Sequence, residues 1–152
     1  MGSQYYKLKP SIYEKTMKEG DSVKVTTLVD NNVWTRGLVS SWGLSFYVEI
    51  NSEEAQHIIL MDTSCSFDAL FKNVAKLEVN LSDVEAIFIS HWHLDHCGSL
   101  SHVLPLLRQQ TPVYVPSKSY SKIRKIKEAR GTPIVCSDPV YLMEGVMSTG
   151  EI

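Results

Sequence analysis

The sequence has 152 residues, of which 43% are hydrophobic and 21% charged, an ordinary globular composition that suffices for one core. Its formal net charge of −2 gives no electrostatic reason to expect nucleic acid or an anionic membrane surface as a partner. No apolar run approaches the roughly 20 residues that span a bilayer, and the first residues lack an apolar signal core. The three cysteines form neither a CxxC pair nor a disulfide framework, which indicates a reducing compartment, and we expect a cytoplasmic protein.

The first part of the chain is dominated by strand-like runs. Residues 22–29 (SVKVTTLV) are rich in β-branched side chains and end at the polar segment DNN. Residues 43–50 (GLSFYVEI) and 57–63 (HIILMDT) are separated by a polar segment, and together they predict a β-hairpin. Residues 1–21 form an N-terminal extension that contains three tyrosines, Tyr5, Tyr6 and Tyr13. We expect these rings to fill hydrophobic contacts, although they could also cover a pocket or a subunit contact.

A helical pattern begins at Ser66. Apolar residues then recur every three or four positions, as on one face of an amphipathic helix: Phe67, Leu70, Phe71, Val74 and Leu77. Ser82 opens a capping-box-like S-x-x-E that could start a short helix. The apolar run AIFIS at 86–90 follows it and predicts a buried strand.

The rest of the chain alternates between helical and strand-like segments. Residues 99–110 predict a helix that Pro105 kinks or delays, and residues 112–115 (PVYV) predict a short strand. The runs at 133–136 (PIVC) and 140–147 (VYLMEGVM) are apolar enough for two further strands. Strands that alternate with helices predict an α/β fold, and the direct strand-to-strand connections indicate a mixed sheet.

Residues 117–130 (SKSYSKIRKIKEAR) predict a basic helix that Gly131 would close. Its cations could contact phosphate groups of a substrate. Most such runs are solvated helix faces, and the near-neutral whole chain favours that interpretation here.

The segment SHWHLDHCGS, directly after the predicted buried strand, concentrates potential metal ligands: His91, His93, Asp95 and His96. Alternate positions of an extended chain point the same way, so His91 and His93 can present two imidazoles to one ion if the strand continues that far. Trp92 would then point away into packing. Neutral imidazole suits zinc, iron, nickel or copper.

Asp95 and His96 fall where the predicted strand turns into a helix, and Gly98 lets the chain turn closely there. A carboxylate and a third imidazole can therefore reach a neighbouring point. Two other interpretations remain: polar residues in a surface loop, or a closed structural zinc site with four protein ligands. Structural sites favour cysteine, and Cys97 is the only cysteine nearby.

HWHLDH matches the H-x-H-x-D-H signature of the metallo-β-lactamase superfamily, and the apolar strand before it fits the same pattern. The hairpin that ends in Asp62 resembles the superfamily's first motif, although D-T-S stands here where the superfamily has D-T-G. The resemblance covers residues from about 22 to 150. Three segments resemble one branch of the superfamily: the hairpin, the predicted helix that contains DAL at 68–70, and VMSTGEI at 146–152. That branch includes archaeal dihydropterin-ribofuranosylaminobenzene phosphate synthases and uncharacterised hydrolases.

The resemblance implies the N-terminal half of a four-layer αβ/βα sandwich with a mixed sheet. Residues 1–152 would form a single, incomplete domain, with the half-sandwich at 22–152. In the superfamily pattern, His91 and His93 would bind a first metal and Asp95 and His96 a second. Asp62 would hold the loop in position without binding a metal itself, although an aspartate at a strand end also commonly just makes a turn. Two zinc ions are expected, with iron, manganese or nickel as alternatives.

What the resemblance implies for function is a metal-dependent hydrolase in which activated water attacks a small ester or phosphoester, with Asp95 orienting that water. The superfamily's remaining ligands lie downstream of the signature, yet His102 is the only later histidine and should face elsewhere on its helix. Asp138 is a weak candidate for a bridging ligand because Pro139 follows it. We therefore expect a second polypeptide segment or a homo-oligomer to complete the site. The alternative is a non-catalytic half that binds or assembles with a partner.

Overall fold

The computed structural model of the protein describes residues 21–53, 55–143 and 145–150. Within these ranges the strands are β1 (Ser22–Val29), β2 (Ser45–Asn51), β3 (Gln56–Met61), β4 (Ala86–Phe88), β5 (Pro112–Val115), β6 (Thr132–Val135), β7 (Val140–Met143) and β8 (Val146–Ser148). The helices are α1 (Phe67–Lys76), α2 (Leu94–Cys97), α3 (Leu100–Val103) and α4 (Tyr120–Glu128). The predicted extension at 1–21 and its tyrosines lie outside the described residues, except for Asp21.

The larger sheet has six strands in the order β1-β2-β3-β4-β5-β6. The first three strands pair antiparallel, and β3 to β6 pair parallel. The predicted mixed sheet and the predicted β-hairpin of β2 and β3 are thereby confirmed. Parallel pairing places the ends of β3, β4 and β5 at the same edge of the sheet, and the histidine-rich loop follows β4 at this edge.

The helices pack on one face of this sheet and form the main core with it. Leu60, Ile87 and Val113 from three adjacent strands are 0% exposed and lie in one cluster with Leu70 of α1 and Ile126 of α4. Of the apolar residues predicted to share one face of α1, Leu70 and Val74 are buried, Phe67 and Leu77 pack against the core, and Phe71 is 49% exposed. The first turn of α1 is capped by Ser66, whose hydroxyl accepts the N–H of Ala69 at 3.2 Å.

Two predicted helix boundaries are wrong. The short 3-10 turn at Leu81–Asp83 is capped by Asn80, whose side chain accepts the N–H of Ser82, so Ser82 is not the cap. Arg130, with φ +68°, takes the left-handed position after α4 that we assigned to Gly131. A Cβ on Gly131 would lie 2.9 Å from side-chain atoms of Ile126 and Leu104, so this glycine is required for close packing instead.

The segment at 99–110 is less helical than predicted. Only α3 is α-helical, and a 3-10 turn at Leu104–Leu106 follows it. Pro105 lies in the first residues of that turn, which agrees with the expected interruption of the helix.

The run at 140–147 forms two strands where one was predicted, because the chain reverses at Gly145 between β7 and β8. This second sheet packs on the face of the large sheet that the helices leave free: Leu142 and Met143 contact a cluster that includes Ala86 and Tyr114. The Tyr114 hydroxyl also donates to the Leu142 carbonyl at 2.9 Å. Beyond this small sheet, the same face carries apolar side chains toward β1, where Val23 is 53% and Val25 55% exposed.

All three cysteines are free. Among the helices of the described ranges, none has the length and apolar character needed to cross a bilayer.

Candidate metal site

The histidine-rich loop leaves the sheet at the carboxyl end of β4. Met61 of β3 and Phe88 of β4 are paired, so both strands end at the same level. Beyond them, the Asp62 N–H donates to the Phe88 carbonyl at 2.9 Å. Ligand sites of open α/β sheets lie at this carboxyl edge, where loops from neighbouring strands meet.

Three imidazoles and one carboxylate converge in this loop. His91 Nε2 lies 3.1 Å from His93 Nδ1, and the ring centroids of His91 and His96 are 4.0 Å apart. His96 Nε2 lies 3.5 Å from an Asp95 carboxylate oxygen. One potential ligand atom each from His91, Asp95 and His96 lies within 4.8 Å of the other two, which is close enough to share one ion.

His93 lies on the outer side of this cluster. It is exposed and is the residue before α2, and it meets the cluster through His91. The strand predicted at 86–90 ends at Phe88 and does not continue to His93, so the condition for an extended His91–His93 pair is not met. The two rings meet through the bend of the loop instead. Trp92 points away as predicted, and its indole N–H donates to the Ser117 carbonyl at 3.2 Å.

Asp62 is fully buried directly behind the cluster. One of its carboxylate oxygens accepts the Ser90 N–H at 2.8 Å, and the other accepts the Ser90 hydroxyl and the His96 Nδ1–H, each at 2.7 Å. Because a carboxylate only accepts, this contact places the His96 proton on Nδ1 and leaves Nε2 free as a metal ligand. Asp62 therefore fixes both the orientation and the tautomer of His96.

Ser90 is a site residue that the sequence reasoning missed. Its hydroxyl donates to Asp62 and lies 3.0 Å from His91 Nδ1, so His91 Nδ1–H donates to it. His91 Nε2 then carries no proton and faces His93 Nδ1 at 3.1 Å. The signal was available, since Ser90 directly precedes the signature. Serine at a strand end has no distinctive spacing, however, and only the fold shows its partners.

We predict that Asp62→Asn weakens zinc binding by about 10- to 100-fold, the usual cost of removing an outer hydrogen-bond partner of a ligating histidine. The asparagine oxygen can still accept the Ser90 N–H, so we expect the fold to persist. The affinity can be measured by competition with a chromophoric chelator. Asp68→Asn, at an exposed aspartate paired with Lys72, is the matched control. An unchanged zinc affinity in Asp62→Asn would contradict the assignment.

The cluster also has the chemical character of a cation site. The second Asp95 carboxylate oxygen, Oδ1, is buried and has no hydrogen-bond partner within the described part of the chain. An unpaired buried carboxylate oxygen is costly, and a coordinated cation would satisfy it. Two imidazole nitrogens and a carboxylate oxygen are donors that zinc accepts, so the residues fit such an ion.

The electrostatics of His91 favour the form that binds metal. Burial, and then the neighbouring His96 and His93 rings, lower the pKa of His91 below its usual value, against the opposing effect of Asp62 and Asp95. A lower pKa keeps the ring neutral at lower pH. Metal ions bind the neutral imidazole, so the environment prepares His91 as a ligand.

The loop between β1 and β2 clamps the cluster from one side. The Leu44 N–H of this loop donates to the Asp95 carbonyl at 3.2 Å. From the turn after β3, the Thr63 N–H donates to the His96 carbonyl at 2.7 Å. A Cβ on Gly43 would lie 1.9 Å from the Asp95 carbonyl oxygen, and its φ is +105°. Only glycine allows this approach. Trp42, which directly precedes Gly43 and is 62% exposed, therefore lies beside the histidine-rich loop.

The turn after β3 accommodates serine where the superfamily pattern has glycine. Ser64 has φ +57°, the left-handed region that glycine enters without strain, and it is fully buried. Its N–H donates to the Leu44 carbonyl and its hydroxyl donates to the Trp42 carbonyl at 3.3 Å. These bonds offset the strain. Gly98, expected to ease the turn, has an ordinary helical φ of −63°, and its hydrogen is needed because a Cβ would lie 2.9 Å from Cys65 Cα.

Two histidine or aspartate candidates lie apart from the cluster. His102 is exposed and stacks on Phe67 with the ring centroids 5.3 Å apart, which agrees with the expectation of an ordinary helix residue. Asp138 is exposed and does not belong to the group of possible metal ligands found among the described residues.

Comparison of the sequence with known protein families shows where the chain belongs. The model of the β-lactamase superfamily domain matches residues 57–141, more than half of the chain, and this range includes Asp62 and the whole histidine cluster. The chain belongs to the β-lactamase superfamily. As a superfamily member it is 26% identical, over 151 residues, to 7,8-dihydropterin-6-methyl-4-(β-D-ribofuranosyl)-aminobenzene-5′-phosphate synthase from Methanocaldococcus jannaschii. That alignment covers 87% of this chain and 51% of the synthase.

A solved structure confirms the fold of this superfamily member. The metallo-β-lactamase fold protein YhfI from Bacillus subtilis superposes with a TM-score of 0.53 at 15% identity, covering 78% of this chain and 49% of YhfI. The short form of human tRNase Z gives a TM-score of 0.49 at 19% identity, covering 74% of this chain and 44% of that protein. The chain thus spans about half the length of the relatives that it matches.

Proposed function

We propose that the chain supplies the metal-binding half of a metal-dependent hydrolase that cleaves a small ester or phosphoester. The observation that carries this proposal is the convergence of His91, Asp95 and His96 at the carboxyl edge of the sheet, with Asp62 buried behind them. Superfamily membership supports the same reaction class, and the archaeal relative carries the name of an enzyme.

In the proposed site the chain itself supplies four metal ligands. In the proposed site His91 and His93 hold one ion and Asp95 and His96 a second, with zinc favoured by the imidazoles and iron, manganese or nickel as alternatives. Bound divalent ions act as Lewis acids and make water a nucleophile near neutral pH. Asp95 would bind the ion through one carboxylate oxygen, and its other oxygen would accept a hydrogen bond from that water and orient it.

The proposal includes a second polypeptide segment. His102 and Asp138 lie outside the cluster, so the four proposed ligands among the described residues supply only two for each ion rather than a full set. Relatives about twice as long are consistent with a site completed by residues from a further segment or a second copy of the chain. The substrate is a small molecule, and neither nucleic acid nor a membrane is proposed as a partner.

Turnover of a generic substrate tests the hydrolase. The protein, with whichever polypeptide co-purifies, is loaded with zinc, manganese or iron and assayed with bis(p-nitrophenyl) phosphate and p-nitrophenyl acetate. We expect metal-dependent hydrolysis that Asp95→Asn lowers by at least about 100-fold, since orientation and acid–base contributions are of this size. Asp138→Asn, at an exposed aspartate, should keep the full rate. Equal rates for the two variants would refute the role of Asp95.

The two-ion arrangement predicts that His96→Ala loses only part of the metal. His91 and His93 would keep the first ion, so the bound zinc should fall from two equivalents to about one while the tightest binding step persists. Calorimetric titration with zinc gives both quantities. Because His91 and His96 share one group of ligand atoms within 4.8 Å, complete loss of binding would instead show a single site.

The second candidate is a non-catalytic binding module, which the apolar sheet face favours. Val23 and Val25 are more than half exposed on a strand whose neighbours on the same face, Val48 and Ile59, are also apolar. Tight association with a partner but no metal-dependent turnover would support this module over the enzyme.

A further inference from the structure

A cavity of about 90 Å³ lies on the side of the histidine-rich loop that faces away from His91, Asp95 and His96. The loop residues that line it are Trp92, Leu94, Cys97 and Gly98, which are interleaved with the ligand positions. The other wall comes from α3 and from α4. The histidine-rich loop therefore presents the potential metal ligands on one side and lines this cavity on the other.

Two lysines of α4, Lys122 and Lys125, one helical turn apart, line the cavity. Lys122 is half-buried and its Nζ donates to Cys97 Sγ at 3.2 Å, whereas Lys125 is exposed. None of the lining residues is acidic. Glu128, the acidic residue of α4, pairs with Arg124. Within the described part of the chain, neither lysine forms a salt bridge, so the positive charge at the cavity is uncompensated.

The cavity wall below the lysines is apolar. Leu100, Leu104 and Ile126 are 6%, 3% and 1% exposed and line it together with the Trp92 indole and the Leu94 side chain. Since one water occupies at least about 10–15 Å³ by this measure, the cavity has room for roughly six to nine non-hydrogen atoms. Buried apolar walls with charged groups at one end are typical of small-molecule sites.

We propose that this cavity binds a short-chain carboxylate of about six to nine non-hydrogen atoms. Lys122 and Lys125 hold the carboxylate through charge-assisted hydrogen bonds, and the alkyl chain lies against Leu100, Leu104 and Ile126. The basic helix, expected from sequence to be a solvated face, thus contributes two of its lysines to the lining of the proposed site. This site is separate from the metal cluster and does not depend on the proposed hydrolysis.

Hexanoate, which has eight non-hydrogen atoms, is the probe. Its binding to the purified protein is measured by calorimetry and by saturation-transfer NMR, beside hexanamide and inorganic phosphate. The charge is removed in Lys122→Met/Lys125→Met, which keeps the length of both side chains. Lys127→Met is the matched control, because Lys127 is exposed on the same helix and does not line the cavity.

We expect hexanoate to bind, the double variant to bind it at least about tenfold more weakly, and Lys127→Met to bind it as the unmodified protein does. Hexanamide should bind at least about tenfold more weakly than hexanoate, because it lacks the charge. No hexanoate binding, equal affinity for hexanoate and hexanamide, or full affinity in the double variant would each overturn the proposal. Phosphate that binds more tightly than hexanoate would also overturn it, because the apolar wall would then contribute nothing.

Discussion

Replacing both His91 and His93 by alanine is expected to abolish high-affinity metal binding. His91 belongs to the group whose ligand atoms lie within 4.8 Å of one another, and His93 is 3.1 Å from it. Loss of an outer hydrogen-bond partner alone costs about 10- to 100-fold in metal affinity, so loss of two direct ligands should exceed 100-fold. Both residues lie in a loop at the sheet edge, and far-UV circular dichroism should show the fold retained. Elemental analysis of the purified variant measures the metal.

The single variants sharpen this test. His91→Ala should cost more affinity than His93→Ala, since His93 lies at the exposed outer side of the cluster. His102→Ala is the matched control, because that exposed histidine stacks on Phe67 outside the cluster. Undiminished metal in the double variant, or an equal loss in His102→Ala, would disprove the assignment of these ligands.

The purified protein is expected to work as an assembly heavier than its own 17.1 kDa, with a second polypeptide segment or a second copy of the chain. The sheet face opposite the helices carries a series of apolar residues: Val23, Val25, Phe46, Val48, Ile50, Met61, Phe88 and Ile134. The small β7–β8 sheet covers this face near β4 to β6, and Val23 and Val25 remain 53% and 55% exposed. Covering such surface stabilises a protein by ~25 cal/mol per Å².

Light scattering after size exclusion, together with intact mass, measures the assembly. If the partner is a second copy, Val25→Lys should shift the mass toward the monomer, because it places a charge in the apolar face. Lys24→Gln is the matched control, since Lys24 lies on the opposite face of the same strand and pairs with Glu49. A stable 17.1 kDa monomer that holds two tightly bound metals would contradict the prediction.

Local patterns in the sequence were sufficient for most of the elements. The β-branched run at 22–29 and PVYV at 112–115 form strands with those limits, because these residues suit a pleated strand whichever neighbour they pair with. The helical spacing from Ser66 predicted α1, which spans Phe67–Lys76. One boundary failed where a tertiary contact decided it: Gly131 packs against Leu104, which is distant in sequence, and does not cap α4.

By itself, the sequence determined which residues are candidate metal ligands, since three imidazoles and a carboxylate lie within six positions of one another. It also indicated Asp62 through the motif resemblance. Only the tertiary structure decided how these side chains are held. Asp62 and His96 are 34 positions apart and meet at 2.7 Å because β3 and β4 pair in parallel and end at the same edge. Only the tertiary structure also shows that Ser90 links Asp62 to the histidines and that Gly43 packs against Asp95. The cavity between the histidine-rich loop and α4 likewise follows from the fold alone. Hydrogen bonding and close packing act over a few ångströms, and only the fold brings distant segments within that range.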